Sequence, residues 1–248
     1  MDLNLKDRVA LVTGGGAGLG EAIARSLAAE NCKLWILDRN AGAAAGVAAS
    51  IGNGTKSYAI DIGDAAAVTD AFAAIAAQGR IDILVNAAGV LSTGFVADLP
   101  VNEWQRVSQV NLAGMLHCIK AALPTMKQQH YGRIINIASI SAARGGGSVG
   151  NTIYGATKAA VVAMTMGLAR ELGPEGITVN AISPAIVDTA MTHELLSEDA
   201  RLKILTRIPL GRMAIPSDIS NLAVFMASDR ASFITGIAVP VDGGILTT

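Results

Sequence analysis

The chain has 248 residues, 51% of them hydrophobic and 16% charged, with a formal net charge of -1. A composition this apolar, at a mean hydropathy of +0.45, implies a large buried core and surface that favours self-association. The balanced charge, free of long single-sign runs, argues against a nucleic-acid partner or an anionic-membrane partner. In chain order, short Val- and Ile-rich runs predict strands at Arg8–Thr13, Lys33–Leu37, Ser57–Ile60, Ile81–Val85, Arg133–Ala138, Ile177–Ala181 and Ile237–Val241. Between them, Ala-rich helical patterns cover residues 18–31, 64–78, 102–129, 154–173 and 216–228, with Asp64 and Ser217 as opening residues. The strands do not alternate apolar with polar, as expected when both faces are buried. Alternating β and α of this kind predicts an α/β fold: a single doubly wound, Rossmann-type, mostly parallel seven-stranded sheet with helices on both faces. No repeat or linker divides the chain, so one domain over residues 1–248 is expected. Its ligand then belongs at the carboxyl ends of the strands.

The first strand runs into Thr13-Gly-Gly-Gly-Ala-Gly-Leu-Gly20, and a helix follows. Glycines there permit a tight turn and let a pyrophosphate approach the backbone, while the helix N-terminus offers amide donors. The spacing Gly14, Gly18, Gly20 differs from the commoner dinucleotide fingerprint, although Gly14, Gly16 and the small Ala17 fit it loosely; taken alone, a Gly-rich turn can also be purely structural. Asp38 closes the second strand, about 20 residues beyond the turn, where a carboxylate accepts from ribose hydroxyls and repels a 2′-phosphate. NAD is therefore favoured, while the adjacent Arg39, able to pair with a phosphate, leaves NADP open. Asp61 stands at the third strand end, where it could accept from an adenine amino group or be a solvated loop carboxylate. Asn86-Ala-Ala-Gly89 ends the fourth strand with small residues.

Tyr154 and Lys158 lie four apart on a helix and share a face. A phenol ionises near pH 10, too high for a base near neutrality, and an adjacent ammonium lowers that value. Ser139, at the end of a strand, could bond a substrate oxygen beside the phenol. A Tyr-x-x-x-Lys pair alone is more often a surface pair. Beside Ser139 and a Gly turn on a doubly wound sheet, it reads as acid–base apparatus for hydride transfer at a carbonyl carbon.

With these residues in place, the chain resembles the classical short-chain dehydrogenase/reductase family from about residue 6 to its end. The matching positions are Thr13–Gly20, Asp61, Asn86–Gly89, Asn111, Ser139, Tyr154, Lys158, Pro184, Thr189 and Val241-Asp-Gly-Gly244. The resemblance implies that Tyr154 is the general acid/base, that Ser139 orients the carbonyl, and that Lys158 binds the nicotinamide ribose and depresses the Tyr154 pKa. It places Asn111 at a water linking Lys158 to a proton relay. Gly14, Gly16, Gly18, Leu19, Asp38, Arg39, Asp61, Ile62, Asn86 and Gly89 would line the cofactor cleft, together with Tyr154, Lys158, Pro184, Ile186 (through its backbone) and Thr189. The chain departs from the family in Asn86-Ala where Asn-Asn is usual and in Pro184-Ala185 where Pro-Gly is usual. The Ser139-to-Tyr154 segment is also about two residues longer. Ser141 stands at the more usual spacing, yet the strand ends at Ser139, which favours Ser139 as the catalytic serine.

A substrate lid is expected near residues 188–213, including Met191 and His193, with Val90–Phe95 and Gly145–Gly150 as the other walls. Ser141, Arg144 and Met191 are the candidate substrate contacts. The mostly apolar lining suits a small secondary alcohol, polyol or hydroxy-ketone. Three readings follow: an NAD-linked alcohol dehydrogenase, an NADPH-linked carbonyl reductase such as a 3-oxoacyl-carrier-protein reductase, and a dinucleotide-binding sensor or scaffold without catalysis. The intact Asn111, Ser139, Tyr154 and Lys158 set argues against the last. Cys32 and Cys118 offer no metal-ligand spacing, and the family works without a catalytic metal. The charged Met1–Arg8 lacks the apolar core of a signal peptide, and no uncharged apolar run reaches bilayer length. A cytoplasmic protein is therefore expected. The resemblance further implies a homotetramer.

Overall fold

The structure, a computed structural model, describes residues 2–146, 151–189, 192 and 196–247. Seven strands form one sheet: β1 Val9–Thr13, β2 Lys33–Asp38, β3 Lys56–Ala59, β4 Ile83–Asn86, β5 Gly132–Ile137, β6 Ile177–Pro184 and β7 Ala238–Val241. The order is β3-β2-β1-β4-β5-β6-β7, and every pairing is parallel. The helices are α1 Gly18–Ala29, α2 Ala41–Ile51, α3 Ala65–Ala76, α4 Glu103–Ser108, α5 Met115–Gln129, α6 Ser141–Arg144, α7 Thr152–Leu172, α8 Glu198–Leu205 and α9 Pro216–Ala227. Among the described residues no helix is long and apolar enough to cross a membrane.

Both faces of the sheet are buried, which is why its strands lack alternation. On β1, Ala10 and Val12 join a core with Ile23 and Leu27 of α1 and Ile219 of α9. Leu11, between them, joins the opposite core with Phe72 of α3, Ile119 of α5 and Val161 of α7. Successive strand side chains point to opposite faces, so each residue needs an apolar partner. On α3 the buried residues are Val68, Ala71, Phe72 and Ile75, a helical stripe. Truncating the fully enclosed Phe72 to alanine would cost about 3–5 kcal/mol. Asp64 caps this helix as expected, accepting from the Ala66 and Ala67 N–H groups at 2.9 and 3.1 Å.

Three features differ from the sequence expectation. Helix α2 was absent from it: the run Ala41-Gly-Ala-Ala-Ala-Gly-Val-Ala-Ala-Ser-Ile51 hides its periodicity in small residues, and Gly42 and Gly46 disfavour a helix. The Asn40 side chain opens α2 by accepting from Ala43 N–H at 3.1 Å. The helix expected over 102–129 is broken by a π turn, Gln109–Gly114, between α4 and α5. At Gly114 a Cβ would come within 2.6 Å of Ile62 Cγ1, so the wide turn seats against the loop after β3. Ser217 does not open α9. Pro216 takes the first turn, and the Asp218 carboxylate accepts from Ile215 N–H at 2.8 Å while paired with Arg212.

A third, smaller core gathers Ile140, Ile204, Ile208, Met213 and Ile245. It ties the expected lid, which carries α8, to the C-terminal turn and to the residue after Ser139.

Candidate active site

The strand order reverses between β1 and β4, leaving a crevice beyond their carboxyl ends where α/β sheets take ligands. The Gly-rich turn leaves β1 there. Gly14 has φ +64, and a Cβ on it would lie 2.7 Å from Ala88 Cα, so the turn packs against the Asn86–Gly89 segment. At Gly20 a Cβ would meet Gly14 O at 2.1 Å, which only glycine avoids. Thr13 closes the crevice floor, its hydroxyl accepting from Ala88 N–H at 3.2 Å.

No side chain caps the N-terminus of α1; Ala17 stands at the cap. The first-turn amides of Gly18, Leu19 and Gly20 thus have no side-chain acceptor, and the helix end presents positive potential. A depression of about 310 Å³ opens here, lined by Gly18, Glu21, Ala22, Arg25, Thr189 and Pro216. Thr189 and Gly18, 171 residues apart in sequence, therefore face one space. The cradle fits an anionic dinucleotide: a Cβ at Gly16 would fall 2.9 Å from Asp38 Oδ2, so small residues keep the backbone open.

Asp38 ends β2, half-buried. Its Oδ2 accepts from Gly16 N–H and its Oδ1 from Asn40 N–H, both at 3.0 Å. Arg39 points to solvent and makes no hydrogen bond or ion pair among the described residues. Asp61 is exposed and accepts from Gly63 N–H at 2.8 Å. Ile62 is buried beneath it. Two residues that sequence reasoning did not single out hold this loop: Gln109 Nε2 donates to Gly63 O at 2.6 Å, and His117 Nδ1 lies 3.0 Å from Ile62 O. No local signal marks them, since they act across 46 and 55 residues.

The Asn86 Nδ2 donates to Asn136 Oδ1 at 2.9 Å inside the sheet while its buried Oδ1 has no hydrogen-bond partner among the described residues; Asn136 in turn donates to Thr165 on α7 at 3.0 Å. Ile186 follows β6 and Pro184, and its carbonyl accepts from Ala214 N–H at 3.2 Å. The Thr189 N–H donates to the Thr192 hydroxyl at 2.9 Å.

Around the reacting position, β5 delivers Ser139 and α7 delivers Tyr154 and Lys158. The Ser139 side chain acts on the Tyr154 phenol, lowering its pKa, and its hydroxyl accepts from Ser141 N–H at 3.1 Å. Ser141, the competing serine, opens α6 and supports Ser139 through its backbone. Lys158 is buried, its ammonium donating to Ile137 O at 2.6 Å and standing 5.6 Å from the Tyr154 ring centroid. Burial pulls the Lys158 pKa down to about 8. Burial also pushes the Tyr154 phenol up, against the opposing influence of the Ser139 side chain. In the protein alone desolvation is thus the largest influence on the Tyr154 phenol, ahead of the tuning by Lys158 that the family resemblance implies.

Asn111 sits in the π turn. Its Oδ1 accepts from Val90 N–H at 2.8 Å, and its Nδ2 donates to Val90 O at 3.0 Å and to the Thr157 hydroxyl at 3.1 Å. Both Nδ2 protons are thus engaged with protein, while Oδ1 accepts one hydrogen bond. Gly89 brings the parts together: a Cβ on it would lie 3.3 Å from Asn111 Oδ1 and 3.5 Å from Lys158 Nζ.

Arg144 ends α6, exposed. Met191, His193 and residues 147–150 lie outside the described residues. Among the described residues no three His, Cys, Asp or Glu side chains gather as a metal site.

A parallel sheet with a glycine cradle at its reversal point, and a serine, tyrosine and lysine beside it, defines a dinucleotide-dependent oxidoreductase. A family profile described as enoyl-(acyl carrier protein) reductase matches residues 14–246. The chain is 35% identical to 3-oxoacyl-[acyl-carrier-protein] reductase of Escherichia coli, covering 98% of this chain and 99% of that one. It is 38% identical to meso-2,3-butanediol dehydrogenase of Serratia marcescens, over 98% and 96% of the two chains. A crystal structure of 3-ketoacyl-(acyl-carrier-protein) reductase from Brucella melitensis complexed with NADH superposes at a TM-score of 0.90, with 35% identity over 98% and 99%. The protein belongs to the short-chain dehydrogenase/reductase family and, with it, to the oxidoreductases that use a nicotinamide dinucleotide.

Proposed function

We propose that the protein is an NAD(H)-dependent dehydrogenase of secondary alcohols, acting on a polyol, hydroxy-ketone or similar small molecule in a single domain closed by a lid at about residues 188–213. The observation that carries this reading is the buried Lys158, its ammonium 5.6 Å from the Tyr154 ring centroid, with the Ser139 side chain acting on the same phenol. When bound, the nicotinamide supplies or accepts the hydride. The Ser139 hydroxyl orients the substrate oxygen toward Tyr154. In the oxidative direction the phenolate takes the alcohol proton while the carbon's hydrogen leaves as hydride, so the carbonyl forms without net charge on the substrate. In reduction the phenol returns that proton. Lys158 holds the nicotinamide ribose, and Asn111 shapes the adjoining turn.

Gly14, Gly16, Gly18 and Leu19 would hold the pyrophosphate with Thr189, and Asp38 would accept from the adenosine ribose. Its bonds from Gly16 N–H in the turn and from Asn40 N–H fix its carboxylate at the end of β2, which favours NAD over NADP. Asp61 and Ile62 would border the adenine, and Asn86, Gly89, Pro184 and Ile186 the nicotinamide half. Ser141, Arg144 and Met191 are proposed to meet substrate. Exposed Trp104 on α4 and Met166 on α7 support a homotetramer; a cytoplasmic location fits the composition.

A second reading, an NADPH-dependent 3-oxoacyl-carrier-protein reductase, is favoured by the exposed Arg39, which has a guanidinium to offer a 2′-phosphate. Fluorescence titration with NADH and NADPH, then turnover of secondary alcohols and ketones, separates the two. Tighter NADH with alcohol oxidation supports the dehydrogenase; tighter NADPH with ketone reduction only would replace it.

A further inference from the structure

Thr157 is fully buried on α7, directly before Lys158. Its hydroxyl donates to Tyr154 O at 2.8 Å and accepts from Asn111 Nδ2 at 3.1 Å. The Asn111 amide, in turn, closes both hydrogen bonds of the Val90 backbone, as a neighbouring strand would. One hydroxyl therefore joins three segments that the chain keeps far apart: the Gly89–Val90 wall of the cleft, the π turn and the helix bearing Tyr154 and Lys158. Across the cleft wall, Asn111 Oδ1 and Lys158 Nζ approach the same point at Gly89. A π turn interrupts the regular ladder and needs outside partners to stay in one register. Along α4 and the turn, the side-chain bonds to the catalytic helix run through Asn111 alone among the described residues.

We propose that Thr157 is a positioning residue: through Asn111 it sets the distance between the Gly89–Val90 wall and the helix carrying Tyr154 and Lys158. This rests on the proposed role of Tyr154. Valine fills the space of Thr157, but the clamp needs an oxygen that both donates and accepts, which serine supplies and valine does not. Without it the Asn111 Nδ2 keeps only Val90 O, the turn is free to shift, and the reacting groups lose their spacing.

The test uses Thr157→Val and Thr157→Ser in the full-length protein, assayed well below each melting temperature, with Tyr154→Phe alongside. Thr157→Val is expected to lower kcat by about ten-fold, within the range that small misplacements cost, while the Kd for NADH stays within about two-fold. Thr157→Ser is expected to restore kcat. In an Asn111→Ala background, Thr157→Val should cost no further kcat, since both changes break one linkage. A Thr157→Val enzyme as fast as wild type, a serine variant as slow as valine, or an additive loss in the Asn111→Ala background would each overturn the proposal. Turnover surviving in Tyr154→Phe would overturn the acid/base assignment instead, so the two failures are told apart.

Discussion

The Asp38 carboxylate and the Gly16 amide are joined by a hydrogen bond of 3.0 Å across the end of the first two strands. The same glycine leaves no room for a side chain, because a Cβ there would sit 2.9 Å from Asp38 Oδ2. The residue proposed to read the ribose and the turn proposed to cradle the pyrophosphate are thus one mechanical unit. Asp38→Ala should raise the Kd for NADH more than that for NADPH, and should also lower the melting temperature slightly through the lost turn contact. A parallel titration of both cofactors checks this; equal weakening would mean that Asp38 does not read the ribose.

Tyr154→Phe should remove turnover and leave NADH affinity nearly intact, since the phenol hydroxyl is lost but the ring still fills its place. Steady-state rates with fluorescence-detected binding measure both. Persistent turnover would reassign the acid/base.

The two serines are separable by pH. Ser139 lowers the Tyr154 pKa against the rise caused by burial. Removing it as Ser139→Ala should move the phenol further up, so the rising limb of alcohol oxidation, where phenolate is the base, shifts to higher pH and kcat falls. Ser141→Ala keeps the backbone N–H that supports Ser139 and should leave the limb in place. A shifted limb in the Ser141 variant would exchange their roles.

Lys158 offers a stability test. Its pKa in the folded protein is about 8 against an ordinary 10.5. Between those values the unfolded chain binds more protons than the folded one, so this group's contribution to stability rises with pH across that window and is lost as pH falls through it. Below it the buried charge costs on the order of 3 kcal/mol. Lys158→Met should therefore gain most against wild type near pH 7, with the difference shrinking by pH 10. Melting curves of the two proteins, both without cofactor, provide the comparison; a constant gap would mean the lysine is not desolvated.

Gly20→Ala probes the cradle itself. The added Cβ would stand 2.1 Å from Gly14 O, a backbone atom that cannot rotate away. Overpacking of this kind costs about 1–3 kcal/mol or more, and cofactor binding should fall with it. Gly18→Ala is the control: it has open space around it, but its φ of +57 imposes backbone strain alone.

Much was legible beforehand where the signal is local. Strand β1, its glycine turn and the residues of α1 form a contiguous pattern, and Asp64 announces its helix by ordinary capping. Tyr154 and Lys158 are four residues apart on one helix, so sequence alone places them on a shared face. Helix α2 escaped because alanine and glycine carry no periodic contrast. The break at Gln109–Gly114 escaped because a π turn is a response to packing, here to Ile62 against Gly114, and leaves no composition of its own. The same is true of Gln109 and His117, whose partners lie on another loop.

By itself, then, the sequence determined the alternation of strands and helices, the doubly wound class and the identity of the groups that could do chemistry, because backbone preference and apolar periodicity act over a few residues. Only the tertiary structure decided which of those groups meet. It brought Ser139 to Tyr154, Thr189 to Gly18, and Asn111 to Thr157 through contacts between distant segments. It also made burial the dominant influence on Tyr154 and Lys158, since desolvation depends on how completely the whole chain closes around a group.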